Sequence, residues 1–549
     1  MNLHGWPGLL AAYASVEAPM LAALGAARAP LGRAAAALAA GVPLTVLAGT
    51  ALSLAGPLTH ALGLGTGSAA GLAGAVGLSG AMGWGCGRML AGRRAAAPAT
   101  YERGALVEEQ PAAATTQRAR THRRQRALTL GGIAVPEADE TKHFKLIGTT
   151  GTGKSTAIHE LLGAALARGD RAVIADPDGG YLRRFYDGRR GDRILNPFDP
   201  RSARWDLFGE IDDPYDVEQL ARSLIPDHEG ADRSWRGYAR TFFSAVTSQA
   251  HLAGSRDVRE LYRLLVVAGT PELKTLVAGT PAQPFLEDNN GRMFDSIRSV
   301  TSSAVGALDY VARQRSAPLA VRHWVRDAGA AQGGVLFLPY RAGQIAALRS
   351  TVSAWMRLAI FETMNREEVA PAEHRRLWFV VDELDALGQI DGLKDALARL
   401  RKFGGRCVLG FQSVAQVSST YGHGEATTLV ENCGNSLILR CSGSEHGGTS
   451  QFASRLIGER EVRRLQRSRS RAPGALWPSH AESEHHATEP AVMPAQIEQL
   501  PDLAGYLKLA SDPRWRRVQV PLPAAARAHD PVPAAHPEVS HASPGHEPG

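Results

Sequence analysis

The 549-residue sequence predicts an α/β fold, in which a parallel β-sheet is interrupted by an all-α insertion and preceded by two apolar N-terminal helices. Three observations predict this fold. A glycine-rich turn near residue 150 lies between a short apolar strand and a helical pattern. A second apolar strand, near residue 380, ends in two carboxylates. Between residues 206 and 329 strand signals are scarce and helical periodicity recurs, for example at 216–224, 236–251 and 257–267.

The glycine-rich turn follows the predicted strand 144–147 and matches the phosphate-loop pattern G-x-x-x-x-G-K-[ST]. Glycines let successive N–H groups face a phosphate, and the helix that follows adds the positive end of its dipole. Lys154 supplies a charge for the β- and γ-phosphates, and the Ser155 hydroxyl is placed to hold Mg²⁺. ATP and Mg²⁺ are therefore the predicted ligands. The predicted nucleotide-binding residues are Gly148, Thr149, Thr150, Gly151, Thr152, Gly153, Lys154, Ser155 and Thr156.

Composition narrows the class of protein. The chain is too long for one domain, and its 61 Lys and Arg residues exceed its 54 Asp and Glu residues. This basic balance permits nucleic acid or anionic lipid as a partner. The four cysteines are scattered without a C-x-x-C pair, which argues against a metal centre or a disulfide framework and favours a reducing compartment.

The N-terminal region, residues 1–92, predicts a membrane anchor. Residues 34–87 contain no Asp, Glu, Lys or Arg, which leaves room for two spans of about 20 residues each, at 35–56 and 67–87. Arginines precede the first span and follow the second, so the positive-inside rule places both ends in the cytoplasm and the link between the spans outside. Small residues that favour close helix packing recur at every fourth position of the second span: Gly67, Gly71, Ala75, Ser79, Gly83 and Gly87. An Ala/Gly-rich segment that stays out of the membrane is the alternative.

The composition of two segments predicts little regular secondary structure. Residues 93–138 have the composition of a solvated linker; their basic cluster is also suited to contact anionic lipid, and it comprises Arg118, Arg120, Arg123, Arg124 and Arg126. The Pro/Ala/His-rich tail 523–549 predicts disorder. Between them we expect a nucleotide-binding domain in two parts, 139–208 and 330–522, separated by the all-α domain 209–329.

Polar residues follow three strands of the predicted core. Asp176 ends the strand that begins at residue 171, and it either faces the nucleotide or caps the next helix. Asp382 and Glu383 follow the strand 377–381, as in a Walker B element, where Asp382 enters the Mg²⁺ shell and Glu383 deprotonates the attacking water. Gln412 follows the strand 406–411, where it senses the γ-phosphate or positions water.

Arginines gather at two further places. The helix predicted over 392–402 ends in Arg399, Arg401 and Lys402, which is typical of cations that interact with a helix dipole. The segment 460–471 is heavily loaded with arginine, and it either contacts DNA or lies on the surface.

Taken together, these motifs resemble the conjugative coupling proteins, the TraD/TrwB family of type IV secretion ATPases. The resemblance runs from about residue 144 to 522. Besides the phosphate loop and the two carboxylates, it covers residues 176–179, 194–199, 377–384, 410–416, 492–495 and 500–506.

The resemblance implies a RecA-like P-loop ATPase domain interrupted by an all-α domain and assembled as a homo-hexamer at the inner membrane, multi-pass, with the ATPase domain in the cytoplasm. It implies binding of DNA with little sequence preference, ATP hydrolysis, and delivery of a relaxase-bound strand to type IV secretion channel proteins. Lys154, Glu383, Gln412 and Arg401 are then the catalytic residues, with Ser155 and Asp382 on Mg²⁺. Arg401 takes the place of an arginine finger that reaches the ATP of a neighbouring subunit. Trp235 falls where the family has a tryptophan in the helical domain, with its role open.

Two other classes of protein remain as alternatives. An FtsK-like double-stranded DNA translocase shares an anchor and a RecA-like core, but it normally has four spans and a C-terminal winged helix. A protein-substrate adaptor ATPase of a secretion system would bind a protein signal with its helical domain. The sequence leaves open whether single- or double-stranded DNA is moved, and which relaxase is the partner.

Overall fold

The computed structural model describes residues 6–27, 34, 37–46, 69–90, 100–109, 127–227, 232–327, 334–365, 376–444, 448–470 and 479–522. The chain forms two compact units. One comprises residues 1–100 and 463–485, and the other comprises residues 101–462 and 486–549.

The first unit contains two long apolar helices that pack on each other, α1 (Trp6–Ala26) and α2 (Ala69–Leu90). Their contact depends on small residues of α2. A Cβ atom added at Gly83 would lie 2.0 Å from the carbonyl oxygen of Val16, and one added at Gly87 would lie 2.5 Å from that of Met20. The four-residue spacing of small residues thus serves a close helix contact, as its pattern predicts. The partner is α1, a helix that the sequence analysis does not identify.

The predicted spans coincide only in part with helices of the structure. Helix α2 covers most of the predicted span 67–87, whereas of the predicted span 35–56 only the helical residues 37–46 belong to the described part of the chain. None of the helices in the described ranges is both long and apolar enough to cross a bilayer.

The second unit is organised around a ten-stranded sheet. Including strands outside that sheet, of which β1, β14 and β15 are divided between the two units, the strands of the described chain are β1 (Thr100–Gly104), β2 (Val107–Glu108), β3 (Thr129–Leu130), β4 (Ile133–Ala134), β5 (Phe144–Ile147), β6 (Arg171–Pro177), β7 (Arg193–Ile194), β8 (Arg204–Trp205), β9 (Pro318–Leu319), β10 (Val335–Tyr340), β11 (Leu377–Val381), β12 (Gly405–Phe411), β13 (Asn435–Ile438), β14 (Glu459–Ser470), β15 (Ser479–Pro490), β16 (Ala504–Lys508) and β17 (Trp515–Gln519). The order in the large sheet is β2-β17-β16-β13-β5-β12-β11-β6-β10-β7.

From β13 to β7 the sheet is parallel, with β16 and β17 added antiparallel beyond β13. Strands β5, β10, β11, β12 and β13 are buried throughout, and apolar runs dominate β10 and β11 in particular. In register, Phe411 of β12 pairs with Ile147 of β5, and Leu409 pairs with Val381 of β11. The residues that follow these three strands therefore meet at one edge of the sheet.

Helices cover both faces of the sheet and form the insertion. They are α3 (Glu137–Glu140), α4 (Lys154–Ala167), α5 (Gly180–Phe185), α6 (Pro214–Leu224), α7 (Arg233–Leu252), α8 (Val258–Tyr262), α9 (Thr270–Leu276), α10 (Gly291–Val305), α11 (Ala307–Arg313), α12 (Val321–Arg326), α13 (Ile345–Met364), α14 (Leu393–Leu400), α15 (Val414–Tyr421), α16 (His423–Asn432), α17 (Gly448–Ile457) and α18 (Pro494–Glu498).

The insertion leaves and re-enters the core at one place, because β8 and β9 pair in parallel at its two ends. Helices α6 to α11 occupy the described residues between these strands, and no strand does so there. The helices predicted at 216–224 and 236–251 correspond to α6 and α7. The helix predicted at 257–267 corresponds to α8 and the π-helical turn Arg263–Val267 that continues it. An edge-to-face contact between Phe242 and Phe294 joins α7 to α10, with ring centroids 5.2 Å apart.

The predicted linker 93–138 is not wholly a linker. It contains β1 to β4; β2 extends the large sheet beside β17, and β3 pairs with β4. The carboxylate of Glu160 accepts hydrogen bonds from the N–H groups of Gly131 and Gly132, at 2.8 and 3.0 Å. Strands of two residues show no periodicity, so their partners decide that they form. The basic cluster at 118–126 and the tail 523–549 lie outside the described residues.

The arginine-rich segment 460–471 also has a regular structure. It corresponds closely to β14, which lies between β1 and β15 in a three-stranded sheet. Arg460 of β14 donates to Glu489 of β15, at 3.0 Å.

Candidate active site

The phosphate loop connects β5 to α4 at the edge where the parallel strands end. Gly153 has φ 111° and Gly151 has φ 78°, values in the left-handed region that favours glycine. A Cβ atom at Gly148 would lie 2.8 Å from the Thr152 hydroxyl oxygen, so this position also requires glycine. Helix α4 begins at Lys154, and its free N–H groups face the loop. The loop and the helix N-terminus together form an anion-binding site.

Lys154 is almost fully buried, and its Nζ donates to the carbonyl oxygen of Gly148 at 2.9 Å. Burial lowers the pKa of the ammonium, and the carboxylates of Asp382 and Glu383 oppose that shift. An ammonium has three donor hydrogens, so further donors are available to phosphate oxygens. The side chain is therefore placed as a point charge behind the loop.

Ser155 and Asp382 are brought together, as the sequence predicts. The Ser155 hydroxyl donates to Oδ2 of Asp382 at 2.5 Å. Asp382 is 3% exposed, and its Oδ1 is buried without a hydrogen-bond partner among the described residues. A hydroxyl and a carboxylate are hard oxygen ligands of the kind Mg²⁺ prefers, and a buried carboxylate oxygen without a partner is suited to a cation or its bound water. The residues present fit Mg²⁺.

Glu383 and Gln412 form a second pair at the same edge. Gln412 Nε2 donates to Oε1 of Glu383 at 2.6 Å, and the Thr150 hydroxyl donates to Oε1 of Gln412 at 3.0 Å. Burial, together with the charge of Asp382, raises the pKa of the Glu383 carboxyl above its usual value. A half-buried carboxylate with a raised pKa is a stronger base than a solvated one. The phosphate loop, the amide and the base are thus joined by hydrogen bonds.

Asp502 and Leu503, which directly precede β16, close one side of this site. The Leu503 N–H donates to the carbonyl oxygen of Thr152 at 2.9 Å, and a Cβ atom at Gly153 would lie 2.7 Å from Leu503 Cδ2. Asp502 forms an ion pair with Arg440, at 2.6 Å. Together with the loop, Asp382, Glu383 and Gln412, this segment surrounds a cavity of about 390 Å³.

The sequence profile of the family described as the type IV secretion-system coupling protein DNA-binding domain matches residues 127–521, which include the whole of this site. The chain belongs to this family.

A curated relative is also a coupling protein. The coupling protein TraD of Escherichia coli (strain K12) is 31% identical over 385 residues, which are 70% of this chain and 53% of TraD. The chain therefore spans about half the length of this relative.

Solved structures of the plasmid coupling protein TrwB have the same architecture. The unbound bacterial conjugative coupling protein TrwBdeltaN70 aligns with a TM-score of 0.69 at 30% identity, over 79% of this chain and 96% of that one. TrwB in complex with the non-hydrolysable ATP analogue ADPNP aligns with a TM-score of 0.68 at 30% identity, over 79% and 97% of the two chains. TrwB in complex with ADP and Mg²⁺ aligns with a TM-score of 0.67, again at 30% identity, over 79% and 98%.

Arg401 and Trp235, which the coupling-protein resemblance identifies, do not line the cavity around Lys154. Arg401 is exposed in a 3-10 turn, Arg401–Phe403, that continues α14, and it does not line the cavity around Lys154. Trp235 is half-buried on α7 and lines a separate cleft between the helical insertion and the core. Neither side chain is part of the nucleotide cavity of its own chain.

The structure decides between the two interpretations of Asp176. Its Oδ1 accepts from the N–H of Tyr181 at 3.0 Å, and its Oδ2 accepts from the N–H of Leu182 at 2.7 Å. Asp176 therefore caps α5. Burial raises the pKa of its carboxyl to about 6, against these hydrogen bonds.

The sequence analysis missed Tyr181. Its hydroxyl donates to Oδ2 of Asp382 at 2.8 Å, so it touches a residue of the predicted metal site. No sequence pattern indicates this contact, because Tyr181 and Asp382 are 201 positions apart. The closing segment around Leu503 lies within the stretch 500–506 that carries part of the family resemblance, but its position over the phosphate loop is not visible in the sequence.

Proposed function

We propose that this chain is an inner-membrane, DNA-dependent ATPase that couples a relaxase–DNA complex to a type IV secretion channel and drives DNA transfer during conjugation. The single observation that supports it most strongly is the convergence of Lys154, Ser155, Asp382, Glu383 and Gln412 on one cavity in a chain of the coupling-protein family. The names of TraD and TrwB, both coupling proteins, support the cellular role.

In this proposal the chemistry is ATP hydrolysis. The loop N–H groups and Lys154 bind and orient the phosphates, and Gln412 holds Glu383 in place by the hydrogen bond at 2.6 Å. Glu383 accepts a proton from the attacking water. Ser155 and Asp382 hold Mg²⁺, which neutralises charge on the phosphates. The TrwB complexes with an ATP analogue and with ADP and Mg²⁺ support this choice of ligands.

The proposed assembly is a homo-hexameric ring of RecA-like domains in which Arg401 reaches the ATP of the neighbouring subunit. Residues 139–208 and 330–522 form the RecA-like domain, and 209–329 form the all-α domain. The partners are DNA with little sequence preference, the relaxosome and the channel proteins. The exposed position of Arg401, outside its own cavity, supports a role between subunits.

Residues 1–92 serve as the membrane anchor in this proposal, with the ATPase domain in the cytoplasm. The charge-free stretch 34–87 and its flanking arginines support it. We expect the full-length chain to sediment with membranes after washes in high salt and in alkaline carbonate, and to require detergent for release. A variant that begins at residue 100 should stay in the supernatant. Release of the full-length chain by salt alone would contradict the anchor.

The function is tested by ATP turnover of the full-length protein in detergent, measured without DNA, with single-stranded DNA and with duplex DNA. We expect DNA to raise turnover, and we expect a Lys154→Ala control to abolish turnover under both conditions. The stimulation should weaken steeply between about 50 and 200 mM salt, because phosphate contacts release counterions. Turnover that is indifferent to DNA would contradict the proposal and favour the protein-substrate adaptor. Stimulation by duplex alone would favour an FtsK-like translocase.

A further inference from the structure

The turn after β6 fixes the position of an aromatic residue beside the predicted metal site. Asp176 caps α5 through the N–H groups of Tyr181 and Leu182, at 3.0 and 2.7 Å. The preceding residues Asp178 and Gly179 have φ 57° and 68°, so the turn is tight and α5 starts in a defined direction. The first turn of α5 therefore aims Tyr181 at the edge of the sheet where β11 ends.

The Tyr181 ring packs against the aromatic ring of His159. The His159 ring meets the Tyr181 ring edge-on, with centroids 4.7 Å apart, and His159 also contacts Phe185 of α5 at 5.6 Å. Tyr181 is 2% exposed. Phenylalanine would fill the same space, so packing alone does not account for the hydroxyl. A buried hydroxyl is costly unless it is hydrogen-bonded, and here its partner is Asp382.

The two oxygens of the Asp382 carboxylate have different surroundings. Oδ2 accepts from the Tyr181 hydroxyl at 2.8 Å and from the Ser155 hydroxyl at 2.5 Å. Oδ1 has no partner among the described residues and is buried. Two donors on one oxygen fix the rotation of the carboxylate, which leaves the other oxygen available. Outer hydrogen bonds of this kind orient metal ligands and tune metal affinity.

We propose that Tyr181 is a positioning residue for Mg²⁺, because its hydroxyl holds the Asp382 carboxylate in the orientation that leaves Oδ1 free. The Ser155 hydroxyl can keep its hydrogen bond to Oδ2 while its oxygen lone pairs stay available to the metal. This inference rests on the proposed function, since it deepens the role of Asp382 in the same site.

The test compares Tyr181→Phe with a matched control, Tyr421→Phe, in the full-length protein. Tyr421 is also buried, and its hydroxyl donates to the carbonyl oxygen of Gly388 at 3.3 Å and accepts from the N–H of Ile390 at 3.2 Å. It does not line the nucleotide cavity. Three quantities are measured: the melting temperature without nucleotide, the Kd of ADP in EDTA, and the Kd of Mn²⁺ for the protein–ADP complex by electron paramagnetic resonance.

We expect Tyr181→Phe to raise the Kd of Mn²⁺ roughly 10–100-fold, the usual range for loss of an outer partner of a metal ligand. The Kd of ADP in EDTA should change less than about 2-fold, and Tyr421→Phe should change neither constant. A Kd of Mn²⁺ within 2-fold of the unmodified protein would overturn the proposal, as would an equal change in the control. Neither DNA nor hydrolysis enters the readout, so a failure of DNA-stimulated turnover is distinguishable from a failure of this inference.

Discussion

The Arg401→Ala variant should lose ATP turnover by about 10³–10⁵-fold while it still binds ATP, because a finger in trans stabilises charge that develops only in the transition state. The side chain is exposed at the end of α14 and does not line the cavity of its own chain. The side chain is therefore not placed to touch a nucleotide in that cavity. Its proposed target is the site of the next subunit.

Oligomers that mix two inactive variants test whether Arg401 acts on the ATP of a neighbouring subunit. Arg401→Ala and Lys154→Ala should each be inactive alone, since one lacks the finger and the other lacks the phosphate-loop charge. Mixed rings contain interfaces in which an intact loop faces an intact finger, so mixing should restore part of the turnover. Arg399→Ala, which removes an exposed arginine of α14 two residues earlier, is the matched control and should stay active. Loss of nucleotide binding in Arg401→Ala, or no recovery on mixing, would contradict a finger in trans.

The Glu383→Gln variant should lower kcat by roughly 10²–10⁴-fold with little change in ATP affinity, because it removes the general base and keeps the shape of the side chain. The direction of its pH dependence follows from the raised pKa of Glu383. The active form is deprotonated, so kcat/KM of the unmodified protein should fall as the pH drops through that pKa, which is higher than the pKa of a solvated glutamate.

The measurement for Glu383 is the pH profile of kcat/KM together with the Kd of ADPNP. In Glu383→Gln the residual activity should lack the acid limb. Glu425→Gln is the control, because Glu425 is a partly buried carboxylate that pairs with Lys394 at 3.4 Å and does not line the cavity. A Glu383→Gln variant with near-normal turnover would assign the base to another group.

The parts of the fold that the sequence predicts well are those with strong local requirements. The core strands β5, β11 and β12 appear within a residue of their predicted bounds, since strands buried on both faces are rich in apolar residues; the buried Lys145 of β5 and Arg406 of β12 are the charged exceptions. The phosphate-loop residues are equally predictable, because left-handed backbone at Gly151 and Gly153 and a point charge at Lys154 each limit the residue type.

The parts that the sequence does not predict depend on contacts between distant residues. The bond from Tyr181 to Asp382, the closing contact of Leu503 with Thr152 and the pairing of β2 with β17 leave no periodicity or spacing to detect. Helix α1 is missed for a different reason. Its packing on the glycines of α2 depends on shape, and the apolar composition of α1 does not specify a partner helix.

The strand order has a consequence for synthesis on the ribosome. Strand β5 ends at residue 147, but both of its neighbours, β12 and β13, begin only after residue 404. At about 5–20 residues per second, roughly 13–50 seconds pass between the translation of β5 and that of β12. The helical insertion is translated in this interval, and helices, whose contacts are local, fold fast enough to form before β12 is made. Leu503 arrives later still. The nucleotide site is thus completed only after Leu503 has been translated, which delays nucleotide binding until the strands around the phosphate loop are in place.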